Sequence, residues 1–224
     1  MKKVLLKNIV NSLRMWWSSI FNLTELQKRH PTCHFYSGAV VDANSSLGKY
    51  NIICENTKII DSTVADYTNI QKNSCIISAD IGRFCSIASR VSIGLGRHPT
   101  TYVSTHPAFY SLTQPLAKTF SERDRYNVFK RTCIGHDVWI GENAMIIDGI
   151  KIGTGAVIAA GAFVINSVPP YAVVVGAPAT VMLYRFDKET RDALLETKWW
   201  ERPEKWLQEH YKSFDNVDNF LKLF

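Results

Sequence analysis

From Val41 onward an aliphatic side chain returns every six positions, at Val41, Leu47, Ile53 and Ile59. Val64 arrives one residue early, Ile70 and Ile76 resume the count, and a second short step gives Ile81, Ile87 and Ile93. After a gap the count runs unbroken through Ile134, Ile140, Ile146, Ile152, Ile158 and Val164. A helix needs a period of about 3.6 and a half-buried strand a period of about two, and neither fits. Six residues suit a short strand plus a turn. A small or short polar residue usually follows the aliphatic, as in Ile81-Gly82, Ile134-Gly135, Ile140-Gly141 and Ile152-Gly153, and tolerates a tight corner. Three positions further on stand Cys85, Val91, Val138, Ala144 and Ala156, again small or β-branched. Three such units close one triangular coil, and stacked coils bury an aliphatic column that no single repeat buries alone. The two short steps end at Val64 and Ile81, one coil apart, so both trim the same edge.

The hexads vanish between Ile93 and Ile134, where about thirty-five residues intervene. An insertion of that length is functional or disordered. This one carries His98, Tyr102, His106, Phe109, Tyr110 and Tyr126, too many aromatics for a disordered linker. A loop on a rigid prism is a natural place for a site. The chain therefore divides into an N-terminal amphipathic helix and lead-in over 1–40, a β-helix over 41–180 with a loop excursion at about 97–132, and a helical extension over 181–224. In the extension Asp187 reads as an N-cap, Leu194 and Leu195 as inward-facing, and Trp199-Trp200 as the helix end. Pro203 opens a further helical turn that buries Trp206 and Leu207.

Composition adds exclusions. With 46% apolar and 21% charged residues the chain is ordinary for a soluble globular domain. A formal charge of +6, without a dense Lys/Arg stripe, suits a polyanionic small ligand and excludes nucleic acid as a partner. Cys33, Cys54, Cys75, Cys85 and Cys133 form no Cys-x-x-Cys pair, which reads as reduced thiols in a cytoplasmic protein. No apolar run is long enough to span a membrane. Between Val4 and Leu23, however, Leu5, Ile9, Leu13, Trp16, Ile20 and Phe21 recur at helical spacing beside Lys2, Lys3, Lys7 and Arg14. Such a basic amphipathic helix suits peripheral contact of residues 4–23 with the inner face of a membrane. It suits equally the covering of its own domain or a neighbouring subunit.

The Ile-Gly-x-x-x-x hexads resemble the hexapeptide-repeat superfamily of left-handed parallel β-helices. Ile81-Gly82-Arg83-Phe84-Cys85-Ser86-Ile87, Gly96-Arg97-His98-Pro99 and Ser104-Thr105-His106-Pro107-Ala108-Phe109 narrow the resemblance, as do Ile134-Gly135-His136-Asp137-Val138-Trp139-Ile140-Gly141, Arg185-Phe186-Asp187 and Lys198-Trp199-Trp200. Together they are similar to the xenobiotic acyltransferase branch, which includes chloramphenicol and streptogramin acetyltransferases and polysaccharide O-acetyltransferases. The resemblance covers roughly Val41 to Trp206.

It implies an acetyl-CoA-dependent O-acetyltransferase, acting as a homotrimer with sites between subunits. Transfer to a hydroxyl needs a base, because an alcohol is a poor nucleophile until its proton can leave. By resemblance that base is His98. His106, Tyr102 and Phe109 are expected to line the acceptor site, and His136, in a hexad turn, is expected to face solvent. No Ser/His/Asp set or Cys/His dyad is visible, so direct attack in a ternary complex is expected. The resemblance also places Trp139 near the coenzyme thiol and Ala160, with Gly161, along its arm. Many relatives carry Lys where this chain has Asn166, so the phosphate contacts of Asn166 are in doubt, and Arg185 or a neighbouring chain's Lys is a candidate substitute. Val175-Gly176-Ala177-Pro178-Ala179 closes the prism as in the family.

Other readings stay open. A metalloenzyme of the carbonic-anhydrase kind needs three histidines on neighbouring coils, and the hexads offer only His136, so no metal is expected. A noncatalytic β-helix scaffold does not account for the His-bearing loop. The acceptor is expected to be a sugar hydroxyl of a cell-surface polysaccharide or its precursor, with an antibiotic hydroxyl as the alternative.

Overall fold

A computed structural model describes residues 23–113 and 116–224. The amphipathic segment at 4–23 lies almost wholly outside the described residues. Residues 23–29 are helical (α1) and lead through Cys33 into the first strand.

The hexads form a left-handed parallel β-helix of triangular section. Its three sheets hold 8, 6 and 5 short strands. On face A the aliphatics stack as Ile53, Ile70, Ile87, Ile140, Ile158 and Val174. Face B stacks Val41, Ile59, Ile76, Ile93, Ile146 and Val164. Face C stacks Leu47, Val64, Ile81, Ile134 and Ile152. Of these only Leu47 is less than buried, so the six-residue count is the inward-pointing count. The second inward position is occupied as expected by buried Cys85, Val91, Val138, Ala144 and Ala156. In the early coils it is polar and internally bonded. Asn51 accepts from the Thr68 amide at 2.8 Å, and Thr68 donates its hydroxyl to the Gly82 carbonyl at 2.9 Å. Close stacking explains the small residue after each aliphatic: a Cβ on Gly141 would meet the Ala160 amide nitrogen at 2.4 Å.

The first rung begins earlier than the aliphatic count, at His34–Phe35 (β1), where Phe35 pairs with Ile53. A search for aliphatics passes over it because an aromatic ring fills the place. Face A ends in a strand at Thr180–Tyr184 that runs antiparallel to Ala172–Val175.

The early steps to Val64 and Ile81 both cross the corner between faces B and C. In the next coil that same corner opens into the excursion, which leaves after Ile93 and returns at Thr132. A buried carboxylate holds the departure, since Asp148 accepts from the Gly96 amide at 2.9 Å. Arg131 holds the return. It donates to the Asp61 carboxylate at 3.0 Å and the Asp80 carboxylate at 3.2 Å. Exposed ion pairs contribute little to global stability. Arg131→Ala is therefore expected to lower the melting temperature by no more than about 3 °C, while protease cleavage within 94–131 accelerates several-fold. Equal cleavage of variant and wild type would show that Arg131 does not anchor the loop.

The extension carries the capped helix its reading gave it, but its first residues, to Tyr184, are strand, and Trp206 and Leu207 are not buried as expected. Helix α2 spans Lys188–Thr197, capped by Asp187, whose side chain accepts from the Thr190 amide at 2.8 Å. It buries Leu194 and ends at Lys198 in the left-handed conformation, φ 42°. Helix α3 (Glu204–His210) follows Pro203 and leaves Trp206 and Leu207 half-buried.

Candidate functional site

His98 sits on the excursion, exposed, five residues past Ile93, the end of the face B strand from which the loop departs. Its Nδ1 lies 2.8 Å from the Thr105 carbonyl oxygen and 3.0 Å from the Tyr110 hydroxyl. A carbonyl only accepts, so Nδ1 carries the hydrogen and donates it. In the neutral ring Nε2 is then left with its lone pair. Nε2 has no hydrogen-bond partner among the described residues. A base oriented through one ring nitrogen and open at the other is the arrangement proton abstraction requires.

Three tyrosines fix this loop. Tyr110 is fully buried, and its ring meets His98 edge-on at 6.4 Å and Tyr126 at 5.6 Å. Burial pushes the Tyr110 phenol above its ordinary pKa, with nearby Tyr126 adding to it, so it stays a neutral hydroxyl at physiological pH. Tyr126 donates to the His98 carbonyl at 3.3 Å, and Tyr102 packs against both other rings. Removing only the Tyr110 hydroxyl tests the positioning. Tyr110→Phe is expected to lower kcat about 3–10-fold with KM for the acyl donor unchanged, the effect of one net hydrogen bond. An equal loss in Tyr126→Phe and no loss in Tyr110→Phe would move the positioning role to Tyr126.

The other histidines are engaged differently. His106 caps a short 3-10 turn at Pro107–Phe109, its Nδ1 accepting from the Ala108 amide at 3.2 Å. In the neutral ring its Nε2 therefore carries the proton, which makes it a donor and not a base. His136 is half-buried and not exposed, stacked on Trp200 at 4.9 Å, its Nδ1 accepting from the Arg83 amide at 3.0 Å. Burial, with Arg83 nearby, holds its pKa below the ordinary value against an opposing pull from Glu201. The sequence offers only its place in a hexad turn, and the helical extension that covers that turn is a long-range partner. Cys85 is sealed in the prism, its thiol pushed up to about 12 by burial, so it is no nucleophile.

Phe109 is half exposed and stacks on Phe120 at 5.5 Å. Tyr102, also exposed, donates to the Arg125 carbonyl at 3.3 Å. Tyr102, His106 and Phe109 thus share the loop with His98. A hollow of about 470 Å³ lies against the C-terminal extension and one of about 620 Å³ on the excursion itself, beside Arg125 and Tyr126, and His98 lines neither.

Trp139 projects from face A, 57% exposed, between Ser86 and Val157 on adjacent rungs. Ala160 and Gly161 form the corner that follows face A, both exposed. These three share one side of the prism, whereas the loop leaves the corner opposite face A. Asn166 is exposed on the loop's own corner, further down the stack. Arg185 is already held: it donates to the Gly155 carbonyl at 2.8 Å and the Asp137 carboxylate at 3.2 Å. The structure therefore does not gather the expected coenzyme contacts around His98 of the same chain. Among the described residues no His/Cys/Asp/Glu group is arranged to hold a metal, and no helix is long and apolar enough to cross a membrane.

Residues 133–166 match the family model described as bacterial transferase hexapeptide (six repeats). Over 126 residues, 55% of this chain, the sequence is 42% identical to a chloramphenicol acetyltransferase of Morganella morganii. It is 36% identical over 140 residues to a probable macrolide acetyltransferase of Lysinibacillus sphaericus, matching 62% of this chain and 74% of that protein. This chain belongs to the hexapeptide-repeat acyltransferases. Within them it stands on the xenobiotic branch. The chain spans about 60% of the length of the chloramphenicol acetyltransferases it matches (59% for that of M. morganii). Among solved structures, a mutant of AntD, an N-acyltransferase from Bacillus cereus in complex with dTDP and coenzyme A, superposes with a TM-score of 0.57 at 17% identity. That match covers 78% of this chain and 96% of AntD, and it shows the shared fold. Tyr110 and Tyr126, named from the sequence only as loop aromatics, and Asp148 hold the loop that carries His98, a part for which none of them was singled out. Their sequence signals were slight: two tyrosines in a loop, and an acid before Gly149 in a turn.

Proposed function

We propose that this protein transfers an acetyl group from acetyl-CoA to a hydroxyl, with His98 as general base. The observation that carries the reading is the His98 ring, fixed through Nδ1 with Nε2 open. The acceptor hydroxyl gives its proton to Nε2 as its oxygen attacks the thioester carbonyl. The tetrahedral adduct then collapses, the carbon–sulfur bond breaks, and the imidazolium returns the proton to the departing thiolate. The result is an ester and free coenzyme A, with no acyl-enzyme.

The coenzyme lies along the face bearing Trp139 and the Ala160–Gly161 corner, where small side chains admit its arm. Because that side is opposite the loop, His98 of one chain serves the coenzyme on a neighbouring chain, in a homotrimer with sites between subunits. Exposure of both the base and Trp139 in a single chain supports this. Asn166, on the loop's own corner, is placed to meet the coenzyme of that neighbour. Arg185 already donates to Gly155 and Asp137, so the phosphate contact is assigned to Asn166 and not to Arg185.

The acceptor is a sugar hydroxyl of a cell-surface polysaccharide or its precursor, with the exposed rings of Tyr102 and Phe109, beside His106, flanking the base. The second reading is an antibiotic hydroxyl, favoured by the names of the curated relatives. Free-thiol release from acetyl-CoA against sugar nucleotides, oligosaccharides, chloramphenicol and a macrolide separates the two. A kcat/KM at least ~100-fold higher for one class, equivalent to about 2.7 kcal/mol, decides it. Release with none of them would remove both acceptor assignments.

A further inference from the structure

The corner between faces C and A carries one residue per coil in the left-handed conformation: Tyr50, Tyr67, Phe84, Asp137, Gly155 and Tyr171, with φ from 53° to 70°. Their amides bond rung to rung, Phe84 to the Asp66 carbonyl, Asp137 to Arg83, Gly155 to His136 and Tyr171 to Thr154. They therefore form one column, each about 4.8 Å above the next. The first three are a ladder of stacked rings. Tyr50 and Tyr67 lie 5.0 Å apart, and Tyr67 and Phe84 lie 4.9 Å apart with planes 2° from parallel. At Asp137 and Gly155 the ladder has no ring, and it resumes with Tyr171.

The C-terminal extension does not fill this gap. Trp199 leans on the open end of the ladder, 5.2 Å from Phe84. On the far side the Tyr171 ring folds over Gly155, where a Cβ would meet its carbons at 2.3 Å. Between them remains a cavity of about 470 Å³, lined by Asp137, Tyr171 and Arg185 on the prism and by Trp199, Phe214 and Val217 on the extension. Its polar groups are unusual. The Tyr171 hydroxyl is buried with no hydrogen-bond partner, on a residue only 2% exposed. Asp137 gives one oxygen to Arg185, and its other oxygen has no partner among the described residues. Burial holds its carboxyl above the ordinary range despite that arginine.

We propose that this cavity is a binding site for a small planar heteroaromatic molecule that completes the ladder. Its ring stacks on Trp199 at the open end of the ladder, and an N–H on its edge donates to Asp137. Aromatic stacking favours a flat ring, and the cavity is of the size that small-molecule sites have. The site is on a different corner from the His98 loop, and it stands independently of the acyl-transfer reading.

Indole, 1-methylindole and cyclohexanol are the probes, titrated calorimetrically into the full chain. Indole is expected to bind one site per chain with Kd of about 10 μM to 1 mM, the range open to a ring of that size. 1-Methylindole, lacking the donor, is expected to bind at least ~5-fold more weakly, and cyclohexanol not at all. Saturating coenzyme A is expected to leave indole binding unchanged. Asp137→Phe, which supplies the missing rung in a conformation Phe84 already adopts, is expected to abolish indole binding while retaining the circular dichroism of wild type. No saturable indole binding would overturn the proposal. So would equal affinity for the three probes, displacement by coenzyme A, or indole binding retained in a folded Asp137→Phe. If that variant does not fold, the three-probe comparison on wild type still decides.

Discussion

His98→Ala is expected to lower kcat about 10²–10⁴-fold while leaving the Kd for acetyl-CoA within about twofold of wild type. The split follows from the geometry. Among the described residues the His98 ring is held by Thr105 and Tyr110 of its own loop, and the contacts expected to hold the coenzyme, Trp139 and the Ala160–Gly161 corner of the neighbouring chain, are left intact by the change. Its loss removes a proton acceptor used in the transition state and removes no contact that holds the cofactor in the ground state. His106→Ala is the matched control. That ring caps the turn at Pro107–Phe109, and its loss is expected to alter KM for the acceptor more than kcat. Steady-state rates with calorimetric coenzyme binding read both. A His98→Ala enzyme with undiminished kcat, or a His106→Ala enzyme with the larger loss, would transfer the base to His106.

The second large effect is on stability. Ile140→Ala is expected to cost about 2–5 kcal/mol, the usual range for deleting a buried branched aliphatic and leaving a cavity. Ile140 is fully buried, flanked on face A by Ile87 and Ile158. Its neighbours are locked by the rungs above and below, so the site has little freedom to collapse. Trp139→Ala, one residue away but pointing outward, is expected to change stability by less than about 1 kcal/mol. Urea melts of the two variants check this. Equal losses would mean that the outward face is itself buried, as in an oligomer that persists through the assay.

The prism was legible because its physics repeats. One aliphatic per six residues, with a small corner residue, is a local rule applied many times, and the pairing from Val41 to Val164 follows it coil after coil. Where an aromatic replaces the aliphatic, at Phe35, the rule loses its marker and the first rung is missed. The loop was legible only as an interruption. That His98 is oriented by the Thr105 carbonyl, and that His106 spends its Nδ1 on a turn, are consequences of loop geometry that no spacing encodes. The same holds for His136, whose exposure depends on Trp200 folding back across more than sixty residues of chain. The gap in the corner ladder has a sequence signature, Tyr50, Tyr67, Phe84, Asp137, Gly155 and Tyr171 at one place in each coil. Only the positions of Trp199 and the Tyr171 ring show that the gap is hollow.

The most direct test of the acyl-transfer account is thiol release from acetyl-CoA, with and without acceptor, followed by intact-protein mass in the same reaction for wild type and His98→Ala. Direct transfer with His98 as base predicts release only when acceptor is present, a protein mass that never changes, and a rate lost in the variant. Acceptor-independent release, a protein heavier by one acetyl group, or a variant as fast as wild type would contradict it.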